Sequence, residues 1–178
     1  ELNQWLSDDA IVVTDMGTAL ICAHQVLRLR PPQRLITSTG LGEMGFGLPA
    51  AVGVAIATGR PIVCLNCDGG MMMNLQEFAT AAECEARVKV IVMDNGSLGL
   101  VHQQQTLFYG KRIFASRYSH TPDFVALARA FGMRGLDLDK EADPLAALQR
   151  ELASPWPSLI HASIDVKHHV YPMVPPGA

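Results

Sequence analysis

A chain of 178 residues has the length of one domain and can bury a full hydrophobic core. Hydrophobic residues make up 49% of the sequence and charged residues 17%, a balance that excludes a disordered or fibrous protein. A net charge of −3 provides no basic surface for nucleic acid, and the longest uncharged run, 44–59, is too short and too rich in glycine to cross a membrane. We therefore expect a globular domain without nucleic-acid or membrane partners.

The amino-terminal sequence indicates that the chain is part of a longer protein. It begins with Glu1 rather than methionine and shows no signal peptide, so we expect residues 1–178 to be a single domain of a longer polypeptide.

Cys64 and Cys67 form a Cys-x-x-Cys pair, but no second pair stands at zinc-ligand spacing. Cys64 lies in an apolar run, where a free thiol behaves as a small hydrophobic group. We therefore expect reduced cysteines and a cytoplasmic protein.

Short β-branched runs alternate along the chain with segments of helical periodicity. The β-branched runs predict strands or short extended segments at 10–14, 34–37, 61–66, 88–93, 133–138 and 159–164. The periodic segments predict helices at 17–27, 46–58, 74–84, 98–106, 121–131 and 143–152. Strands that alternate with helices are typical of an α/β fold, so we predict a doubly wound, mostly parallel sheet with helices on both faces.

Short sequence signals predict where individual helices begin, how one of them packs, and which segment is irregular. Asn74, with Glu77 three residues later, predicts a capping box at a helix start. The segment 121–123, Thr-Pro-Asp, predicts a helix that begins with a polar cap and a proline in its first position. The helix at 46–58 is rich in glycine and alanine, which favours close packing against another backbone, including that of a second subunit. Residues 110–120 lack periodicity and indicate a functional or mobile loop.

Two polar residues stand at the carboxyl ends of consecutive apolar runs that are predicted to be strands. Asp68 ends one apolar run and is followed by two glycines, and Asn95 ends the next run and is followed by one. Because the carboxyl ends of neighbouring parallel strands meet at one edge of a sheet, we expect their side-chain oxygens to converge. Such oxygens, beside uncovered glycine N–H groups, suit a Mg²⁺ ion that bridges a diphosphate. Asp-Gly and Asn-Gly are also common turn pairs, so either one alone indicates only a turn.

The two turns resemble the cofactor-binding motif of thiamine-diphosphate enzymes, which is Gly-Asp-Gly, a gap in the mid-twenties, and Asn-Asn. The corresponding segments here are Cys67-Asp68-Gly69 and Asp94-Asn95. Within that family, the chain is most similar to the C-terminal domain of the large subunit of acetohydroxyacid synthase, also called acetolactate synthase. The further matching segments are 40–50, 72–77, 98–105, 107–109 and 171–177, and the resemblance extends from about residue 5 to the end.

This resemblance implies thiamine diphosphate and Mg²⁺ as cofactors. It assigns the Mg²⁺ ligands to the side chains of Asp68 and Asn95 and to the backbone carbonyl of Ser97. It also implies that the backbone N–H groups of Gly69 and Gly70 bind the diphosphate at the start of the following helix, where the helix dipole favours an anion.

The resemblance further implies roles around the organic part of the cofactor. The Gly42 carbonyl would accept a hydrogen bond from the 4′-amino group of the aminopyrimidine. The Met44 side chain would hold the cofactor bent, so that this amine lies near the reactive carbon. The residues that would line the thiazolium and substrate pocket are Leu98, Gly99, Leu100 and Val101.

Gln104 stands where many acetohydroxyacid synthases have a tryptophan that favours 2-ketobutyrate over pyruvate as the second substrate. Its place within a run of three glutamines implies weak discrimination between these substrates. With Met44, it is the residue to which the resemblance assigns a part in the reaction. A polar helix face exposed to solvent is the alternative interpretation.

Three sites in the sequence depart from the family. Cys67 replaces a glycine, and Gly70 replaces a serine. After Gly17, the pair Thr18-Ala19 replaces Gln-His, whose side chains help to bind the diphosphate in the family. We still expect Gly17 and Thr18 to contact the cofactor. These changes keep open a non-catalytic domain that has lost the cofactor.

The resemblance implies that the full-length enzyme decarboxylates pyruvate and condenses the hydroxyethyl unit with a second 2-ketoacid, pyruvate or 2-ketobutyrate, in branched-chain amino acid biosynthesis. The complete protein would contain FAD in another domain and form a homodimer, in which the partner subunit supplies the glutamate that protonates the pyrimidine. It can also include a small regulatory subunit. The isolated domain is expected to be inactive. Another thiamine-diphosphate-dependent 2-ketoacid decarboxylase or carboligase remains an alternative.

Overall fold

The computed structural model describes residues 1–175 and residue 177, so that Pro176 of the matching tail segment lies outside it. The strands are β1 Ile11–Thr14, β2 Arg34–Thr37, β3 Ile62–Cys67, β4 Val88–Asp94, β5 Arg134–Asp137 and β6 Ser158–Ser163. The helices are α1 Leu2–Trp5, α2 Thr18–Val26, α3 Gly47–Thr58, α4 Asp68–Met71, α5 Glu77–Glu83, α6 Gly99–Phe108, α7 Phe124–Ala130 and α8 Pro144–Ala153. Within these residues the strands form one parallel sheet in the order β2-β1-β3-β4-β6-β5, which confirms the predicted α/β fold.

The centre of the sheet is formed by β3 and β4, which are covered on both faces. Alternate side chains of β3 enter two separate cores, Cys64 one and Leu65 the other. Strands buried on both faces have continuous apolar sequences, which explains why these two runs stand out. β4 pairs with β3 in parallel register, and the pairing ends with Cys67 beside Met93. The residues that follow the two strands therefore lie side by side.

Helices cover both faces of the sheet, as predicted. One face carries α3, α5 and α7, and its core includes the fully buried Phe78 and Phe124. The other face carries α1, α2 and α8, with Ala19 and Leu148 in its core. Burying a large apolar side chain contributes about 1.5–3 kcal/mol, so these two cores hold the helices against the sheet. Across the described part of the chain, no helix combines the length and the hydrophobicity needed to cross a membrane.

The small residues of α3 pack against the sheet of the same chain. Ala51 and Ala55 are buried in the core beside β3. Gly47 lies so close to the end of β1 that a Cβ atom there would come within 2.8 Å of the Asp15 Cβ. The expected close packing against a backbone is therefore found within the chain, and the small residues used for it are not available to a second subunit. On the opposite side of α3, Gly53 and Ile56 are exposed.

Two predicted helix starts are wrong. α5 begins at Glu77, and Asn74 does not cap it, because the Asn74 side chain donates to the Gly45 carbonyl at 2.9 Å. The residues directly after β3 form a separate short helix, α4, which the periodicity did not predict. α7 begins after Asp123, whose carboxylate accepts a backbone N–H of the first turn at 2.8 Å. Pro122 therefore precedes the helix instead of occupying its first position.

A buried ion pair lies at the amino-terminal edge of the sheet. Lys89 is 1% exposed, and its Nζ atom lies 3.6 Å from Glu151 Oε1 and donates to the Trp156 carbonyl at 2.5 Å. Arg134 binds the other oxygen of Glu151 at 3.0 Å. Burial lowers the pKa of Lys89 to about 8, although the Glu151 carboxylate acts in the opposite direction. The folded protein therefore releases this proton more easily than the unfolded chain does.

We expect this difference to stabilise the fold as the pH rises from 8 to 10.5. Between these values the unfolded chain still holds the Lys89 proton, whereas the folded protein has released it. Raising the pH therefore shifts the equilibrium toward the folded state. Lys89→Met removes the group that titrates, and with it this dependence of stability on pH, while Glu151 keeps Arg134 as a partner. Chemical denaturation across this pH range should show the unfolding free energy of the wild type rising relative to that of the variant by about 3 kcal/mol. A difference that does not change with pH would contradict the expectation.

Candidate functional site

A cleft lies at the carboxyl-terminal edge of the sheet, between the ends of β1, β3 and β4. This is the edge at which open parallel α/β sheets bind their ligands. The residues lining the cleft are Met16, Gly17, Thr18, Gly42, Met44, Cys67, Asp68, Gly69, Gly70, Ser97, Leu98, Gly99, Leu100 and Val101. The structure thus brings together all the residues predicted to contact the cofactor except Asn95, which adjoins the cleft through Ser97.

Asp68, Asn95 and Ser97 meet at one backbone N–H group. The Ser97 N–H donates to Asp68 Oδ2 at 3.2 Å and to Asn95 Oδ1 at 3.0 Å. Asp68 follows β3 and Asn95 follows β4, so the pairing of these strands places both side chains at the same edge. Carboxylate and amide oxygens are ligands that Mg²⁺ accepts in proteins.

The Asp68 carboxylate is buried beside a second carboxyl group, that of Asp94. Asp68 is 1% exposed, and within the described residues no lysine, arginine or histidine forms an ion pair with it. Burial, followed by the neighbouring Asp94 carboxyl group, raises the pKa of Asp68 to about 7. The Ser97 hydroxyl is also buried, and no group in the described part of the chain forms a hydrogen bond with it. Because a buried charge is costly unless it is paired, these residues fit a divalent cation.

Asp94 is bound on its other side by His161, for which the sequence pattern predicted no role. His161 Nε2 lies 3.2 Å from Asp94 Oδ2, and His161 Nδ1 lies 3.3 Å from Asp137 Oδ1. Burial disfavours the charged imidazole, but the hydrogen bonds to Asp94 and Asp137 outweigh this effect and raise the pKa of His161. The histidine therefore ties the turn after β4 to the edge strand β5.

Gly69 and Gly70 form part of the floor of the cleft, but they do not begin the long helix as predicted. They belong to α4, and the Gly69 N–H donates to Asp68 Oδ1 at 2.8 Å. A Cβ atom on Gly70 would lie 1.7 Å from Asp15 Oδ2. A serine at this position would therefore clash with Asp15 unless that side chain moved.

Two other departures from the family, Cys67 and Thr18, contact each other. Cys67 Sγ accepts a hydrogen bond from the Ala19 N–H at 3.4 Å and lies 3.3 Å from Thr18 Oγ1. The sulfur thus caps the first turn of α2, because the N-cap residue Gly17 has no side chain to do so. Burial raises the pKa of the Cys67 thiol, which stays neutral. Thr18 still lines the cleft and offers a hydroxyl group there.

The loop between β2 and α3, residues 38–46, brings Gly42 and Met44 to the cleft. Gly42 has a φ of 74°, a conformation that glycine adopts without strain. The Met44 side chain extends over α4, and its Cε atom lies 3.2 Å from the position that a Cβ on Gly69 would occupy. Met44 is therefore placed above the glycine floor, where a bound ligand would contact it.

The irregular segment 110–120 lies against the turn after β4. The Tyr118 N–H donates to the Gly96 carbonyl at 2.9 Å, and the Tyr118 hydroxyl lies 2.5 Å from the position of a Cβ on Gly69. Tyr118 is therefore a residue of the candidate site that sequence reasoning missed. The lack of periodicity in this segment was the only signal in the sequence that pointed to it.

The structure does not bring Gln104 into the cleft. Gln104 is exposed on α6 and lines a shallow groove outside the cleft, together with Val101 and Arg112. Val101 lines both the groove and the cleft, so the two are adjacent. The neighbouring Gln103 is instead fully buried, and its amide both donates to and accepts from the C-terminal backbone.

Residues 15–162 match the family described as thiamine pyrophosphate enzyme, C-terminal TPP binding domain. The chain therefore belongs to the thiamine pyrophosphate enzymes, as their C-terminal cofactor-binding domain. It is similar to the acetolactate synthase isozyme 1 large subunit of Escherichia coli (strain K12), with 49% identity over 97% of this chain and 31% of the relative. It is also similar to the isozyme 2 large subunit of the same organism, with 43% identity over 96% of this chain and 31% of the relative.

A third relative is the acetolactate synthase large subunit of Parasynechococcus marenigrum (strain WH8102), with 44% identity over 97% of this chain and 28% of the relative. The chain thus spans about a third of the length of these relatives. The resemblance inferred from the motifs is confirmed by these comparisons.

Asp68→Asn is expected to weaken Mg²⁺ binding in the presence of thiamine diphosphate. The loss of even an outer-shell partner costs about 10–100-fold in metal affinity, and the loss of a charged ligand should cost at least as much. Isothermal titration of the protein with Mg²⁺ measures this change. Asp143→Asn, which removes a carboxylate that caps α8 outside the cleft, is the control and should bind like the wild type. Equal affinities for Asp68→Asn and the wild type would rule out Asp68 as a ligand.

Proposed function

We propose that this chain is the cofactor-binding part of an acetolactate synthase, which decarboxylates pyruvate and joins the remaining two-carbon unit to a second 2-ketoacid. The observation that carries the proposal is the meeting of Asp68, Asn95 and Ser97 at one N–H group beside an open cleft. The similarity to acetolactate synthase large subunits over nearly the whole chain supports the choice of reaction. Because the chain spans about a third of those relatives, the activity belongs to the longer protein.

In this proposal Mg²⁺ is bound by the side chains of Asp68 and Asn95 and by the carbonyl of Ser97. The unpaired charge of Asp68 supports this assignment, since a cation would relieve the cost of its burial. Oxygens of the diphosphate would complete the coordination of the metal. The backbone of Gly70 would lie beside the diphosphate on the floor of the cleft, and the Thr18 hydroxyl is a hydrogen-bond donor in its lining.

The chain's residues would orient the organic part of the cofactor. When bound, thiamine diphosphate supplies the carbon nucleophile that attacks the carbonyl of a 2-ketoacid. The Gly42 carbonyl would accept a hydrogen bond from the aminopyrimidine, and the Met44 side chain would support the bound cofactor. Residues 98–101 form an apolar wall at the start of α6, which limits access of water to the reacting atoms.

The longer protein would supply the remaining parts of the enzyme. We propose an FAD-associated domain in that protein, and a second subunit that contributes the glutamate for the pyrimidine and covers the cleft. Leu41, next to Gly42 of the cleft, is exposed, and so are Met72 and Met73, which line a cavity together with Asp68 and Gly69. Exposed large apolar side chains beside the cleft support such a cover. A small regulatory subunit would be a further partner. The four free cysteines support a cytoplasmic location.

The full-length protein is expected to form acetolactate and CO₂ from pyruvate when thiamine diphosphate and Mg²⁺ are present. Removing Mg²⁺ with a chelator should abolish the reaction, and adding it back should restore it. Product analysis by NMR distinguishes the outcomes. Acetaldehyde in place of acetolactate would identify a decarboxylase. A protein that binds no thiamine diphosphate would be a domain that has lost the cofactor.

Gln104→Trp in the full-length enzyme is expected to raise the preference for 2-ketobutyrate over pyruvate as acceptor. The two acceptors differ by one methylene group, which an apolar wall distinguishes by about 1–3 kcal/mol, or roughly 10–200-fold. A tryptophan in the groove beside Val101 would provide such a wall, whereas the exposed glutamine does not. The measurement is the ratio of acetohydroxybutyrate to acetolactate when both acceptors compete. An unchanged ratio in an active variant would show that residue 104 has no contact with the acceptor.

A further inference from the structure

The Asp15 carboxylate is fully buried behind the cleft, although it does not line it. Asp15 follows β1, and its own N–H donates to the Leu65 carbonyl at 2.9 Å, which extends the pairing of β1 with β3. Its side chain is therefore held on the rigid edge of the sheet. Within the described residues no basic side chain forms an ion pair with it.

The carboxylate binds two backbone N–H groups at the end of loop 38–46. Oδ2 accepts from the Gly45 N–H at 3.0 Å, and Oδ1 accepts from the Gly47 N–H at 3.1 Å. On the other side of the same residue, Asn74 Nδ2 donates to the Gly45 carbonyl at 2.9 Å. Gly45 is thus held on both sides. Asp15, which follows β1, binds its N–H, and Asn74, in the segment that precedes α5, binds its carbonyl.

Glycines make this arrangement sterically feasible. A Cβ atom on Gly47 would come within 2.8 Å of the Asp15 Cβ, and one on Gly70 within 1.7 Å of Asp15 Oδ2. Gly45 has a φ of 87°, and a Cβ there would lie 2.6 Å from the Met73 Cβ. Gly47 and Gly70 therefore allow the carboxylate to reach the loop backbone, and Gly45 allows the segment before α5 to approach the loop from the other side. A buried carboxylate is costly compared with an apolar side chain, so its retention points to a role beyond filling the core.

We propose that Asp15 and Asn74 are positioning residues that fix loop 38–46 in its cofactor-binding shape before the cofactor arrives. The N–H bound by Asp15 belongs to the peptide bond that joins Met44 to Gly45, one bond from the residue that would support the cofactor. The inference rests on the proposed function, in which Gly42 and Met44 contact the aminopyrimidine. A loop fixed in advance loses less conformational freedom on binding, which increases affinity.

The experiment compares Asp15→Asn, Asn74→Ala and the control Asp143→Asn in the full-length protein. Asp15→Asn keeps the shape of the side chain but replaces one acceptor oxygen with a donor that faces a backbone N–H. Asp143→Asn makes the same change at a carboxylate that binds the Ala146 N–H at 3.0 Å on α8. Asn74→Ala releases the loop from the other side and provides a second route if Asp15→Asn does not fold.

Hydrogen–deuterium exchange of peptides covering the loop, without cofactor, and the equilibrium dissociation constant of thiamine diphosphate are the two measurements. Asp15→Asn and Asn74→Ala should exchange faster in this loop only. The dissociation constant should rise by about tenfold or more in Asp15→Asn, which loses a hydrogen bond to a charged group, and by about two- to tenfold in Asn74→Ala, which loses a neutral one. The control should change neither quantity. A purely structural role would instead speed up exchange throughout the domain.

Unchanged exchange in the loop would overturn the inference, as would faster exchange with an unchanged dissociation constant, because the loop would then not serve the cofactor. A wild-type protein that binds no thiamine diphosphate would overturn the proposed function, and this inference with it. That failure is distinguishable because it is seen without any variant.

Discussion

The parallel pairing of β3 with β4 is the constraint on which the candidate site depends. Because Cys67 lies beside Met93, Asp68 and Asp94 leave the sheet at the same level, and Asn95 comes within reach of the Asp68 carboxylate. A shift of the pairing by one residue would turn the side chains to the opposite face and separate these oxygens. The register is held by apolar side chains that are buried on both faces of the sheet, so the core of the domain directly sets the geometry of the site.

The same pairing places two carboxyl groups close together in a region with little water. Asp94 is compensated by His161, whereas among residues 1–175 and 177 the hydrogen bonds to the Asp68 carboxylate come from backbone N–H groups. Two carboxyl groups so close together are electrostatically unfavourable, and a bound cation would offset the cost of their burial. At the opposite edge of the sheet, by contrast, the buried Lys89 is paired with Glu151.

Neighbouring groups in the chain accommodate the residues at which it departs from the family. Gly70 leaves the space that Asp15 uses to reach the loop backbone, and Cys67 supplies a sulfur acceptor for the Ala19 N–H. Each change is thus accommodated by a contact within the chain, and the cleft between these residues stays open.

The sequence by itself determined the alternation of strands and helices, and it placed Asp68 and Asn95 at strand ends. Burial periodicity and turn chemistry depend on neighbouring residues, so a single sequence contains them. Only the tertiary structure decided which groups those residues meet. Asn74 binds a loop carbonyl instead of capping α5, and Asp15 and Tyr118 approach the cleft from distant parts of the chain. Such contacts depend on how the strands are ordered in the sheet, which no local pattern specifies.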